Sequence, residues 1–308
     1  MDDIGNAKGR PPGTFRSIAL NYDKYLMMLP YLVLFFIFTI LPVLSSLVLS
    51  FTDFNLLNMP NFVGWSNYAK LFLEDDIFLR SVRNTLLFAL VTGPISFALC
   101  LFVAWLVNDL PPKVRALMTL LFYAPSLSGN VFLLWRYIFN NDMYGWVNGT
   151  LMNLGILTEP IKWLSDGQYA LTVVIIVQLW LALGTSFLAF IAGMQGINRS
   201  LYEQGSIDGI RNRWQELFYI TLPSMGPQLL FGAVMQIAAS FAAGRIVISL
   251  IGDPANTDYQ ASTVITHIID YGTVRFEMGY ASAIATVLFV AMVLTNKLIR
   301  RLLQRYQP

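Results

Sequence analysis

The sequence predicts an all-α, polytopic membrane protein with six spanning helices. Composition, run length and charge placement carry that prediction. Of the 308 residues, 56% are hydrophobic and only 12% are charged, against about 25% charged in soluble domains. Mean hydropathy is +0.58. Six uncharged runs approach or exceed the roughly 20 residues that a helix needs to cross the hydrocarbon core. None has the short alternating pattern of a spanning strand.

The runs are Leu26–Thr52, Asn84–Val107, Ala116–Trp135, Gln168–Gln195, Leu222–Gly244 and Met278–Asn296. Residues 1–25 hold Gly, Pro and four basic residues, give no ordinary signal peptide, and read as a cytoplasmic tail. A six-helix region at 26–300 follows, with a polar loop at 199–222 and a short tail at 301–308. With the N-terminus placed inside, the inner segments hold thirteen Lys and Arg and the outer loops five. This is the positive-inside bias, and it puts both termini in the cytoplasm. The outer loops, near 53–83, 136–167 and 252–277, carry Trp65, Tyr68, Trp146 and Trp163. They read as packed turns and interfacial helices, serving either as an aromatic belt or as a receiving surface. Pro30, Pro42, Pro94 and Pro125 fall inside spans, where kinks are tolerated.

One polar segment stands out between the fourth and fifth runs: "YEQGSIDGIRNRWQELFYITLPSM", Tyr202 to Met225. Read as a helix, Ile207, Ile210, Trp214 and Leu217 fall at i, i+3, i+7 and i+10 and form one apolar stripe. Gly205 and Gly209 each lower helix propensity by about 1 kcal/mol relative to Ala. The segment therefore reads as a short helix, a turn at Gly209, a second helix, and a fifth span with Pro223 in its first turn. An amphipathic interfacial helix would look similar on periodicity alone.

Glu203-Gln204-Gly205, then Asp208-Gly209, then Ile220-Thr221-Leu222-Pro223 resembles the EAA loop of binding-protein-dependent ABC importer permeases. Four further stretches resemble the maltose-type sugar-permease branch: Phe62–Phe72, Asn84–Val91, Tyr123–Phe139 and Gly279–Phe289. The resemblance spans roughly residues 25–300 and implies a type I ABC importer permease fold. It marks Glu203, Gly205 and Gly209 as motif positions of a coupling helix, with Asp208, Arg211 and Trp214 beside them. It also implies a second homologous permease subunit, two cytoplasmic ATPase subunits and an extracytoplasmic solute-binding protein. The implied substrate is a carbohydrate, most simply an oligosaccharide, and the implied location is a bacterial-type inner membrane. Two departures stand out: the motif's alanines are Gln204 and Gly205 here, and the spacer from Gly209 to Ile220 is one residue longer than its commonest form. The second implies a re-angled coupling helix.

Polar residues within spans are the other candidates. Gln178, Ala182 and Thr185 share one face of the fourth span, and Gln236, Ser240 and Ala243 one face of the fifth. Trp180 and Phe241 offer ring faces for sugars. By resemblance these faces line the substrate pathway; as ordinary membrane chemistry they are interhelical hydrogen-bonding glue. Gly232, Ala238, Ala239, Ala242, Ala243 and Gly244 favour close packing, expected at an interface between two permeases. Arg245 is expected to snorkel, and the single His267 to be a packed loop residue.

Several functions lack their residues. There is no Gly-x4-Gly-Lys-Ser/Thr phosphate loop, so this chain is expected to bind no cofactor, with ATP and Mg held on a partner. No paired carboxylates, Ser/His/Asp set or metal cluster can be placed at membrane depth, which counts against an enzyme. The uncharged spans offer no ionisable relay for an ion-coupled secondary transporter. A permease for a non-sugar solute is separated only by the resemblance. Nothing points to nucleic acid; membrane lipid is the implied surroundings.

Overall fold

The computed structural model describes residues 22–304, so the tail expected at 1–25 lies outside the described residues apart from its last four. The protein is helical. Among the described residues the one β-type contact is a bridge between Thr52 and Phe62. Among the described residues four helices are long and apolar enough to span a membrane, and the total is six with each of two bent pairs taken as one span. The chain is a multi-pass membrane protein.

The first span, α1 (Tyr22–Leu49), contains a π-turn at Phe36–Ile40. The widened turn directly precedes Leu41-Pro42, and Leu41 N–H bonds to the Phe36 carbonyl. Proline lacks an N–H and crowds the carbonyl four residues back, so a locally wider helix relieves the clash. The same device precedes Leu222-Pro223, at Leu217–Thr221. No residue in the most apolar window of α1 is buried. Only its last turns pack, against the sixth span, so most of its surface is left for lipid or another chain.

After α2 (Ser66–Leu73) comes α3 (Asp76–Asn108). It starts eight residues before the uncharged run. Asp75 accepts a bond from Phe78 N–H at 2.8 Å, an N-cap that starts the helix while it is still in the charged loop. α3 is the hub: it packs on the fourth and fifth spans and on the outer-loop helix.

The third run is not one straight helix. α4 (Pro112–Leu127) and α5 (Val131–Ile138) meet at 82°. Ser128 is extended, and the Ser-Gly-Asn sequence there opposes helix continuation. α6 (Trp146–Asn153) follows. Asn148 of this helix is fully buried and bonds to Asn140, Asp142, Ile161 and Trp163, which makes it a structural residue.

The fourth span is α7 (Gly167–Leu181) and α8 (Thr185–Gln195), interrupted at residues 182–184. The polar segment gives α9 (Arg199–Ile207) and α10 (Arg213–Ser224). A bend of 85° leads into α11 (Gly226–Phe241). Pro227, and not Pro223, therefore occupies the first turn of the spanning part. Then come α12 (Gly244–Ile251), α13 (Val264–Ile269) and the sixth span, α14 (Met278–Gln304).

Three apolar clusters fill the bundle. One joins Phe88, Val174 and Val247. A second joins Cys100, Trp105, Phe187, Phe190 and Leu217. A third joins Phe78, Phe241, Tyr280 and Ile284. Gly232 and Gly244 belong to these internal contacts and not to a subunit interface: a Cβ on the first would overlap the Phe190 ring, and one on the second would overlap Ile265. Ala239 and Ala242 do remain exposed, on a face shared with Phe231 and Met235.

Candidate functional site

The polar segment folds as helix, turn, helix. α9 ends in a Schellman-type cap: Gly209 takes φ +96°, and Ile210 N–H reaches back to the Gly205 carbonyl at 2.9 Å. That bond satisfies one of the orphan carbonyls of the last turn. A Cβ on Gly209 would meet nothing within 4 Å, so glycine is required by the backbone and not by space. Gly205 has the opposite reason. It is buried, and a Cβ there would sit 2.6 Å from Ile220 Cδ1 and 3.0 Å from Ile210 Cδ1. α9 thus lies closely on the second half of α10. Tyr202 and Thr221 hydroxyls bond across the same junction at 3.0 Å.

The chain reversal at Gly209 overturns the single stripe. Ile207 is 84% exposed while Leu217 is 6% exposed, and the two lie on different helices. Glu203 and Asp208 are exposed. Glu203 pairs with Arg199 at 3.6 Å, and Asp208 forms the C-cap of α9. Arg211 is exposed, and its N–H bonds to Gln215 Oε1. Asn212 caps α10 through Gln215 N–H. α9 therefore presents charge and the apolar side chains of Leu201 and Ile207 to its surroundings.

Two contacts tie this segment to the C-terminal end of α3. Arg213 meets Asp109 as a two-pronged pair, with Nη1 to Oδ1 and Nη2 to Oδ2 both at 2.6 Å. Trp214 lies 4.8 Å from the Trp105 ring and 6.4 Å from Phe102, nearly parallel to the latter. Burial opposes ionisation of Asp109, and Arg213 only partly offsets it, so the carboxyl titrates above the ordinary range. These partners were not read from the sequence. The one available signal was the Trp and Asp closing an uncharged run.

The membrane-depth candidates separate. Gln236 is 5% exposed, and its Nε2 donates to Cys100 Sγ at 3.2 Å and to the Ala182 carbonyl at 3.3 Å. Cys100 Sγ donates to the same carbonyl at 3.0 Å. The interruption of the fourth span takes that carbonyl out of the helix ladder; Gly184 N–H bonds to it at 2.8 Å, and side chains from the second and fifth spans add to that bond. Ser240 is buried and accepts from Thr92 Oγ1 at 3.0 Å. Within this chain both are interhelical glue. Phe241 is buried in the third cluster. Gln178 is buried and makes no side-chain hydrogen bond among the described residues. Thr185 is exposed and stands beyond the break, so it does not continue the Gln178 face. Trp180 keeps 41% exposure and meets Trp135 edge-on at 5.3 Å. Arg245 is exposed at the start of α12.

At the other end of α3, Asp75 Oδ2 takes bonds from Tyr280 Oη at 2.7 Å and the His267 ring at 2.9 Å. Burial opposes the charge on Asp75. The Phe78 N–H, the Tyr280 hydroxyl and His267 outweigh it, and the carboxyl stays below the ordinary range. His267 is packed as expected, but within α13 and not in a loop, and no metal-ligating group of three forms among the described residues.

The fold and this geometry define a multi-pass helical membrane protein with one built polar joint at an end of its bundle. No family model matches the chain. It is 34% identical over 277 residues to the probable ABC transporter permease protein YesP of Bacillus subtilis (strain 168), covering 88% of this chain and 86% of that one. It is 31% identical over 288 residues to the lactose transport system permease protein LacF of Rhizobium radiobacter, covering 90% and 92%. Its fold matches a chain in the crystal structure of a bacterial ABC transporter that imports the acidic polysaccharide alginate. That match has a TM-score of 0.78 and 22% identity, covering 96% of this chain and 99% of the other. The chain belongs to the ABC transporter permease family.

Proposed function

We propose that this chain is one permease subunit of an importer that moves an oligosaccharide into the cytoplasm, and that segment 199–224 couples it to a separate ATPase. The observation that carries the reading is the rigid, outward-facing α9 with its glycine cap at Gly209, set directly on the root of the fifth span. An interfacial helix needs only an apolar face toward lipid. This one is braced on Gly205 and turns Glu203, Ile207 and Asp208 away from the bundle, as a docking element does. The similarity to a lactose system permease supports the substrate class.

The lysine and arginine bias supports a cytoplasmic location for this segment and for both termini. A second permease completes the pathway, and the exposed Phe231–Ala242 face of α11 and the bare α1 are surfaces it can take. Two ATPase subunits supply hydrolysis, since no phosphate loop occurs in the sequence. An extracytoplasmic binding protein delivers the sugar. Closure of the ATPase pair moves α9, and the bundle shifts between two states that differ in sugar affinity.

The test is ATP-dependent uptake into liposomes by the assembled complex, with labelled lactose and longer oligosaccharides, for the native chain and Gly209→Pro. Uptake of a saccharide that Gly209→Pro abolishes supports the reading. Uptake unaffected by the substitution refutes the coupling role, and ATP-dependent uptake of non-sugar solutes alone refutes the substrate class.

A further inference from the structure

We propose that α3 is a through-membrane connecting rod, clamped to the coupling segment at its inner end and to the outer cap at 252–277 at its other end. This rests on the coupling role proposed above and extends it. The sequence connects the coupling segment only to the fourth and fifth spans. The structure adds a third, non-covalent connection to the second.

The inner clamp is the two-pronged Arg213–Asp109 pair at 2.6 Å with the Trp214–Trp105 ring contact at 4.8 Å. An exposed ion pair usually contributes little to stability, but a fork-to-fork pair fixes relative orientation, which is what a mechanical link requires. Trp105 belongs to the buried cluster that also holds Leu217 of α10, so the clamp continues into the core.

The outer clamp is denser. Asp75 binds His267 and Tyr280. Asn84 Nδ2 donates to the Gln260 and Ser262 carbonyls at 2.7 and 2.9 Å. Ser81 meets Ser262 at 2.9 Å, and Thr85 accepts from Val264 N–H at 2.9 Å. From end to end α3 runs unbroken for 33 residues, which at 1.5 Å per residue is about 50 Å, and the clamps grip its two ends. It remains helical through Pro94.

A displacement of α9 is therefore passed along α3 to the loop that faces a docked binding protein. Asp109 and Arg213 act as positioning residues. They touch neither sugar nor nucleotide.

The test uses the full complex in nanodiscs, with Ala255→Cys as a reporter on the outer cap. Ala255 is exposed and the native Cys100 is fully buried, so within this chain a maleimide reads the cap alone, and the rate is read on this chain's own band. The labelling rate is compared with and without ATP plus vanadate. We expect a shift of about fivefold, the low end of typical coupling between sites. Asp109→Asn and Arg213→Gln should each reduce it to less than about twofold, and the exchanged pair Asp109→Arg with Arg213→Asp should restore it. Co-purification of the ATPase checks assembly. If a charge variant does not assemble, Trp105→Leu opens the clamp without altering charge and is expected to give the same loss. A shift that survives the clamp variants but is lost in Gly209→Pro overturns the rod and keeps the coupling role. A shift that survives Gly209→Pro as well refutes the coupling role itself. No shift in the parent chain overturns the rod.

Discussion

The two polar regions of this apolar chain are built in opposite ways. Segment 199–224 leaves Glu203, Asp208 and Arg211 exposed and owes its shape to local geometry: a left-handed glycine, a glycine packed under two isoleucines, and two capping asparagines. The polar residues of the fourth and fifth spans mostly turn inward. Gln236 and Ser240 spend their hydrogen bonds on neighbouring helices. In water, an exposed polar side chain is free to serve a partner. In lipid, a polar side chain bonds first to whatever protein group is nearest, and a hydrophilic residue in a span is by itself no sign of a pathway.

The contrast can be broken most sharply at Gly209. Its φ of +96° excludes proline, whose φ is fixed near −65°. Gly209→Pro should abolish coupled uptake while leaving the spanning bundle folded, measured by transport together with far-UV circular dichroism. Retained uptake would remove the distinction between the two regions.

Gln236→Ala should do the reverse. Loss of a buried donor and its volume costs about 1–3 kcal/mol, so the thermal unfolding midpoint in detergent should fall while sugar selectivity is unchanged. A changed selectivity with an unchanged midpoint would make Gln236 a lining residue instead of glue. Thr92→Val removes the donor to Ser240 and should cost less, about 1 kcal/mol, in the same unfolding assay.

The smallest effect concerns pH. The folded-state carboxyl of Asp75 lies below its ordinary range. It therefore contributes stability that is complete above the unfolded value near pH 4 and disappears as pH falls through the folded one. Between about pH 6 and pH 3 the native chain should lose more midpoint than Asp75→Asn, by scanning calorimetry. Equal losses would mean that the His267–Tyr280 network does not depend on the charge.

Much of this was legible in the sequence where the determinant is local. Run length gave the spans, and the Gly209 turn between two short helices follows from one residue's conformational freedom. The bends were not legible as bends. The Ser128-Gly129-Asn130 break and the turn at Met225 lie within apolar runs whose hydropathy is uninterrupted, and hydropathy carries no direction. The fate of Gln236 was not legible either, because its partner is a carbonyl 54 residues away, exposed only by the interruption at 182–184. Asp109 was overlooked for the same reason: its partner Arg213 is 104 residues further on.

The central claim, that α9 docks a separate ATPase, is tested most directly by a photo-crosslinking amino acid at Ile207, the most exposed apolar side chain of α9. In membranes containing the whole complex, irradiation should yield an adduct with the ATPase subunit, and that adduct should be lost in Gly209→Pro. Adducts with lipid alone, and the same pattern in both chains, would mean that the segment is an interfacial helix and would contradict the account.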